Sequence, residues 1–203
     1  MPHLIQKWIF VGGTILGDWY VLRTISSKEE TAAAFYRKIF PDYDIIYPKR
    51  RICWRKCGNL INIIRPLFEG YLFVSTDNNK IHDFDNLLHK LRFNVGWLVY
   101  TAGALMPIFD EEKKMIQMLM GTEGIVEVSE IEKVQNRFSV VTGPLMGFEA
   151  MIKKFSAKNR RITVEIPILT ENKRIELGGI WKNANNINRH IKPHLDSSLS
   201  NNE

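Results

Sequence analysis

The chain has 203 residues, 45% hydrophobic and 25% charged, enough apolar material for one large core or two small ones and too much for global disorder. Its 28 Lys and Arg against 22 Asp and Glu give a net charge of +6, which suits a polyanionic partner without demanding one. Two cysteines are too few for a secreted disulfide framework, and no apolar run approaches the ~20 residues of a membrane helix, so a cytoplasmic protein with no membrane partner is expected.

Leu4 to Leu16 is apolar but interrupted by Gln6, Lys7, Gly12, Gly13 and Thr14, and residues 1–18 read as an N-terminal extension. Trp19-Tyr20-Val21-Leu22 is an aromatic and β-branched run that predicts the first strand. Ser26 with Glu29, or Ser27 with Glu30, has capping-box spacing and opens a helix to about Phe40, ended by Pro41. Tyr43 to Tyr47 reads as a second strand.

From Pro48 to Arg65 two strands are expected around a turn at Cys57-Gly58-Asn59, with Lys49, Arg50, Arg51, Arg55, Lys56 and Arg65 making the hairpin basic. Gly70 to Ser75 has the apolar continuity of a central strand buried on both faces. Ile81, Phe84, Leu87, Leu88 and Leu91 recur at helical spacing and predict an amphipathic helix. Gly96 to Tyr100 predicts another strand, and Asp110, as N-cap, opens a helix ending before Gly121.

Residues 121–131 contain Glu123, Glu127 and Glu130 and no basic residue, the expected linker between a unit at 19–120 and another at 132–183. The second unit has short β-rich runs at 139–142, 150–155, 162–168 and 174–177 and no clear helix, so its strands are expected to close into a small barrel. Residues 184–203, rich in Asn, Ser and His, are expected to be a disordered tail.

Residues 132–182 carry ten basic and five acidic side chains, a net +5, against a net +4 spread over residues 19–120. Lys153, Lys154, Lys158, Arg160, Arg161, Lys173 and Arg174 are therefore candidates to bind phosphates on the barrel, as are Arg50, Arg51, Arg55 and Lys56 on the hairpin, with a solvated surface as the alternative. Lys153-Lys154 and Lys158 to Arg161 flank a strand-turn-strand unit and are expected at one end of the barrel. Phe148 and Phe155 are candidates for stacking on loop bases, with core packing as the alternative. Cys53 and Cys57 lack further ligands for a metal site, His190 and His194 lie in the polar tail, and no phosphate loop, nucleophile elbow or zinc motif occurs. No enzyme, cofactor or metal is expected.

The order of these elements, with Trp19-Tyr20-Val21-Leu22, Pro66-Leu67-Phe68-Glu69-Gly70-Tyr71 and Val140-Val141-Thr142-Gly143-Pro144-Leu145, resembles the NusG family over about residues 19–182. The last of these runs resembles a KOW motif. The family commonly has proline where Glu69 stands and glycine where Ala150 stands. Arg65-Pro66-Leu67-Phe68 and the run from Gly143 to Lys154 look most like the LoaP subfamily.

The resemblance implies an α+β fold, an NGN-type sandwich with an antiparallel sheet followed by a small all-β KOW barrel. It implies a monomeric processive antiterminator that docks an apolar face on the clamp of RNA polymerase and is recruited by a nascent RNA hairpin, with binding to non-template DNA also open. Tyr20, Phe68, Tyr71, Trp97 and Val99 are the candidates for that face, each with packing in its own core as the alternative. A general NusG factor, a DNA-recruited RfaH-like regulator and a KOW-containing ribosome-associated protein are the competing readings.

Overall fold

A computed structural model of the chain describes residues 17–91, 96–135 and 137–182. The expectations for residues 1–16 and 184–203, including His190 and His194, lie outside the described residues. The rest divides into two compact units. Of the described residues, those up to Lys49 together with Pro66–Val126 and Ile166–Lys173 make one unit, and Arg50–Arg65, Glu127–Glu165 and those from Arg174 on make the other.

The first unit begins with strand β1 (Asp18–Thr24) and helix α1 (Glu29–Ile39), followed by β2 (Asp44–Ile46). The capping box expected at Ser26 or Ser27 does not form: Ser27 has a positive φ of 70° and the helix starts without a side-chain cap. Glu29 is buried instead and accepts a hydrogen bond from the Gly70 backbone N–H. Next comes a hairpin of β3 (Lys49–Lys56) and β4 (Asn59–Pro66), most of which belongs to the second unit. Cys57 and Gly58 at its tip both have positive φ, 49° and 81°, as a two-residue type I′ turn requires.

The first unit resumes with β5 (Tyr71–Thr76) and α2 (Asn78–Lys90), then β6 (Gly96–Leu98), the short pair β7 (Tyr100–Thr101) and β8 (Ala104–Leu105), α3 (Asp110–Met120) and β9 (Ile125–Val126). Phe109, not Asp110, occupies the N-cap of α3, and its backbone N–H donates to Glu112 at 3.0 Å. The sheet runs β2-β5-β1-β6, with β5 antiparallel to both β2 and β1, and β1 antiparallel to β6.

Strand alternation splits this sheet into two faces. Tyr20, Leu22, Leu72, Val74, Ile45 and Leu98 enter one core with Ala32, Ala33 and Tyr36 of α1 and Ile81, Phe84 and Leu88 of α2. The opposite face carries Trp19, Val21, Arg23, Tyr71, Phe73 and Trp97, as the register Val21↔Phe73, Arg23↔Tyr71 and Arg23↔Trp97 requires. Gly96 is needed where β6 meets β1, because a Cβ there would stand 2.2 Å from the Arg23 carbonyl oxygen.

The second unit is built on β10 (Ser129–Val134), β11 (Arg137–Thr142), β12 (Ile152–Ser156), β13 (Arg161–Ile168) and β14 (Glu171–Trp181), in the order β11-β10-β14-β13-β12, except that the end of β13 and the start of β14, Ile166–Lys173, belong to the first unit. The only helical turn among its described residues is 3₁₀, at Glu149–Met151. The acidic segment expected as a linker holds β9 and the start of β10, whose Ser129–Ile131 pair parallel with Gly179–Trp181. Gly143 has φ 105° and lies so close to Ser129 that a Cβ would meet its Cα at 2.7 Å. The fully buried Ser129 hydroxyl accepts the Leu145 N–H at 3.2 Å, which fixes this corner. Phe155 packs edge-on to Trp181 at 4.6 Å and to Phe138 at 6.4 Å.

Candidate functional site

Of the five residues proposed for an apolar docking face, Tyr20 and Phe68 are buried and cannot be offered to a partner in this conformation. Tyr20 lies on the helix-facing side of β1, with its hydroxyl donating to Asn78 Oδ1 at 3.3 Å; burial, then Asp18 and Asp77, hold its pKa above the ordinary value. Phe68 packs on Phe73 at 6.0 Å, in the ring cluster that also holds Trp19. Large aromatic side chains next to a central strand are most often claimed by their own core.

The other three lie toward the far side of the sheet. Trp97 is 52% exposed on the edge strand β6, Val99 just beyond it is half-buried, and Tyr71 is half-buried. Arg23, which the sequence did not single out, sits between them. Its guanidinium carbon is 4.5 Å from the centre of the Tyr71 ring, and its backbone is in register with Trp97. The signal for it was the alternation of β1, which puts the residue two beyond Val21 on the same face. Lys173 Nζ lies 5.4 Å from the Tyr71 ring and is paired with Glu171, which raises its pKa. A tyrosine ring with two cations close to it, and an exposed indole on the far side of Arg23, present aromatic surface with positive charge at its border.

The basic residues separate into different roles. Arg160 and Arg161 are buried, 6% and 9% exposed, and do not form the expected phosphate rim. Arg161 donates to the Cys53 carbonyl, sits 3.7 Å from Glu176 Oε2 and lies over the Trp54 ring at 5.9 Å. The extended backbone of β13 begins at Arg161 and aims it at the β3–β4 hairpin, so it ties strands together. Arg50 donates to the Glu176 carbonyl at 3.0 Å and Arg51 pairs with Glu127 at 2.7 Å, so both are engaged within the second unit.

Lys153 and Arg174 converge on Glu165, at 3.4 and 2.7 Å, and the hydrogen bond from Arg174, followed by Lys153, keeps that carboxyl below its usual pKa. Lys153 and Lys154 lie along β12, while Lys158 is in the turn that follows it, so these groups do not share one end. Arg55, Lys56, Lys154 and Lys158 are exposed. Arg55, Lys158 and Arg161 line one cleft, although they come from two separate segments of the sequence. Phe148 is half-buried and Phe155 belongs to the aromatic cluster described above.

Among the described residues no group of three or more His, Cys, Asp or Glu is placed to hold a metal, and no helix is long and apolar enough to cross a membrane. Cys53 is buried and Cys57 is exposed at the hairpin tip.

The molecule is thus an α+β protein, with α1 and α2 packed on one face of an antiparallel sheet in the first unit and a second unit of β-strands that includes most of the β3–β4 hairpin. The family model described as "Transcription termination factor nusG" matches residues 17–132. The chain belongs to the NusG family of transcription factors. It is 21% identical over 182 residues to the transcription termination/antitermination protein NusG of Helicobacter pylori strain J99, covering 79% of this chain and 94% of that one. A solved structure reported as "Domain interaction in Thermotoga maritima NusG" is similar with a TM-score of 0.49 at 22% identity, over 79% of this chain and 93% of that one.

Proposed function

We propose that this chain is a specialised NusG paralogue of the LoaP type, a processive antiterminator whose first unit binds the clamp region of RNA polymerase and suppresses pausing and termination. Its second unit recruits it to a nascent RNA hairpin. Membership of the NusG family supports polymerase binding, for which Trp97, Tyr71, Val99 and Arg23 are the face. The observation that carries recruitment by nucleic acid is the meeting of the basic β3–β4 hairpin and the basic turn after β12 within one compact unit, with Arg55 and Lys158 on one cleft. Phosphates attract such groups, and their neutralisation releases condensed counterions. The activity is positioning and scaffolding rather than bond-making.

The test is transcription by purified RNA polymerase through an intrinsic terminator, on templates with and without the leader encoded beside the gene. Read-through should rise only when the leader is transcribed, and reversing Arg55, Lys56, Lys154 and Lys158 to Glu together should remove the rise. Read-through that responds to a DNA element without the leader would replace this reading with a DNA-recruited one. Ribosome association without any effect on polymerase would replace it with the translation-associated one.

A further inference from the structure

The basic hairpin carries one large aromatic side chain that its own unit does not bury. Trp54 lies near the hairpin-tip end of β3, flanked by Cys53 and Arg55, and is 49% exposed, although tryptophan is highly buried on average. It lines a cleft of about 290 Å³ with Cys53, Arg55, Leu60, Lys158, Arg161 and Glu176, as does Asn159. All of these residues belong to the second unit.

The charges of the cleft are unequally committed. Arg161 is spent on the Cys53 carbonyl and on Glu176, which is the cleft's only carboxylate among the lining residues. Its Nε nevertheless remains buried with no hydrogen-bond partner. Arg55 donates only to the Gly58 carbonyl, which leaves its charge uncompensated among the described residues, and Lys158 has no acidic partner among them. The cleft therefore combines a fixed aromatic ring, two cations at its margin and Asn159, whose amide both donates and accepts.

We infer that this cleft is a single-nucleotide subsite, in which an unpaired base stacks on the Trp54 indole while Arg55 and Lys158 hold the adjoining phosphates. Arg161 positions the platform by fixing the backbone at Cys53 and the indole beside it. Every base has a π-face, so the subsite selects unpaired over paired strands more strongly than it selects a sequence. A base in a duplex is already stacked and cannot enter. The inference deepens the nucleic-acid reading of the second unit and rests on it.

The experiment uses the full chain and three probes: a blunt RNA duplex, the same stem closed by an unpaired adenine-rich loop, and a DNA copy of the loop strand. Trp54→Ala should weaken loop RNA by about 5- to 100-fold, with duplex binding and the salt dependence of loop binding unchanged. Trp54→Phe should restore most of the affinity, and circular dichroism melting should show all variants folded. Arg55→Glu with Lys158→Glu should instead flatten the salt dependence, by about one slope unit for each phosphate no longer neutralised. Equal binding of loop RNA by the wild type and Trp54→Ala overturns the subsite and leaves RNA recruitment standing. Equal weakening of loop and duplex binding in Trp54→Ala also overturns it, because stacking would then not be the cause. Failure of the wild type to bind any probe overturns both readings. Binding of the DNA copy as tightly as loop RNA, with the same dependence on Trp54, supports the subsite and removes the case for RNA over DNA.

Discussion

Glu29, at the first position of α1, accepts a hydrogen bond from the backbone N–H of Gly70 at 2.7 Å, across 41 positions of sequence. Gly70 has φ 74°, in the turn that leads into the central strand, and its N–H has no place in a sheet ladder there. The carboxylate satisfies a buried donor and ties the start of the helix to the start of β5. Glu29→Ala should cost about 1–3 kcal/mol, because the donor is left buried and unpaired, and Glu29→Gln should cost less. Urea unfolding of the two variants measures the difference; equal stability of Glu29→Ala and wild type would refute the role.

Trp97 and Tyr71 make the proposed polymerase face testable apart from folding. Trp97→Ala should weaken association with a purified elongation complex at least about tenfold, as removal of an aromatic anchor does. Its exposure of 52% limits the cost to folding, so the melting temperature should stay close to wild type. Tyr71→Ala should weaken the complex and also release Arg23 and Lys173 from the ring. Native gel shift with thermal melting separates the two effects.

Arg161 is expected to matter for stability more than for binding. Arg161→Met leaves the Cys53 carbonyl without its donor and should lower stability by about 1–3 kcal/mol. Arg161→Lys should not restore it fully, since an ammonium lacks the planar fork that reaches the carbonyl and Glu176 together. Lys158→Glu, at an exposed turn, should stay within about 0.5 kcal/mol of wild type while reducing nucleic-acid affinity. Denaturant unfolding alongside RNA titration distinguishes the classes.

Tyr36 gives the first unit an alkaline limit. Its hydroxyl is buried without a hydrogen-bond partner, and burial pushes its pKa up to about 12 from the ordinary 10.0. The folded state keeps the proton that the unfolded chain gives up. The stabilisation is therefore whole below pH 10 and is lost as pH rises toward 12. Tyr36→Phe should be neutral or stabilising at pH 7 and should remove this part of the alkaline decline, read from unfolding midpoints across that range.

Much of the architecture was legible in the sequence because it rests on local patterns. The apolar spacing of Ile81, Phe84 and Leu88 marked α2, the continuous run at Tyr71–Val74 marked a strand buried on both faces, and the charge of Lys49 to Arg65 marked the basic hairpin. The start of β10 was not legible, since Ser129–Ile131 lies at the end of an acidic stretch and is held by parallel pairing with Gly179–Trp181, some fifty positions away. The spacing of Glu29 from Ser26 fits a capping box. The actual partner of Glu29 is a distant backbone donor that no local pattern encodes.

The candidate surfaces divide along the same line. Sequence alone determined the family pattern, the charge, and which segments carry Arg, Lys and aromatic groups, because these follow from residue order and identity. Only the tertiary structure decided which of them are available. It buried Tyr20, Phe68, Arg160 and Arg161 and left Trp54 and Trp97 exposed. It also brought Arg55 and Lys158 to one cleft, although more than a hundred residues separate them. Burial and proximity depend on strand register and on which chain segment packs over which face, and neither is a property of a residue's neighbours in sequence.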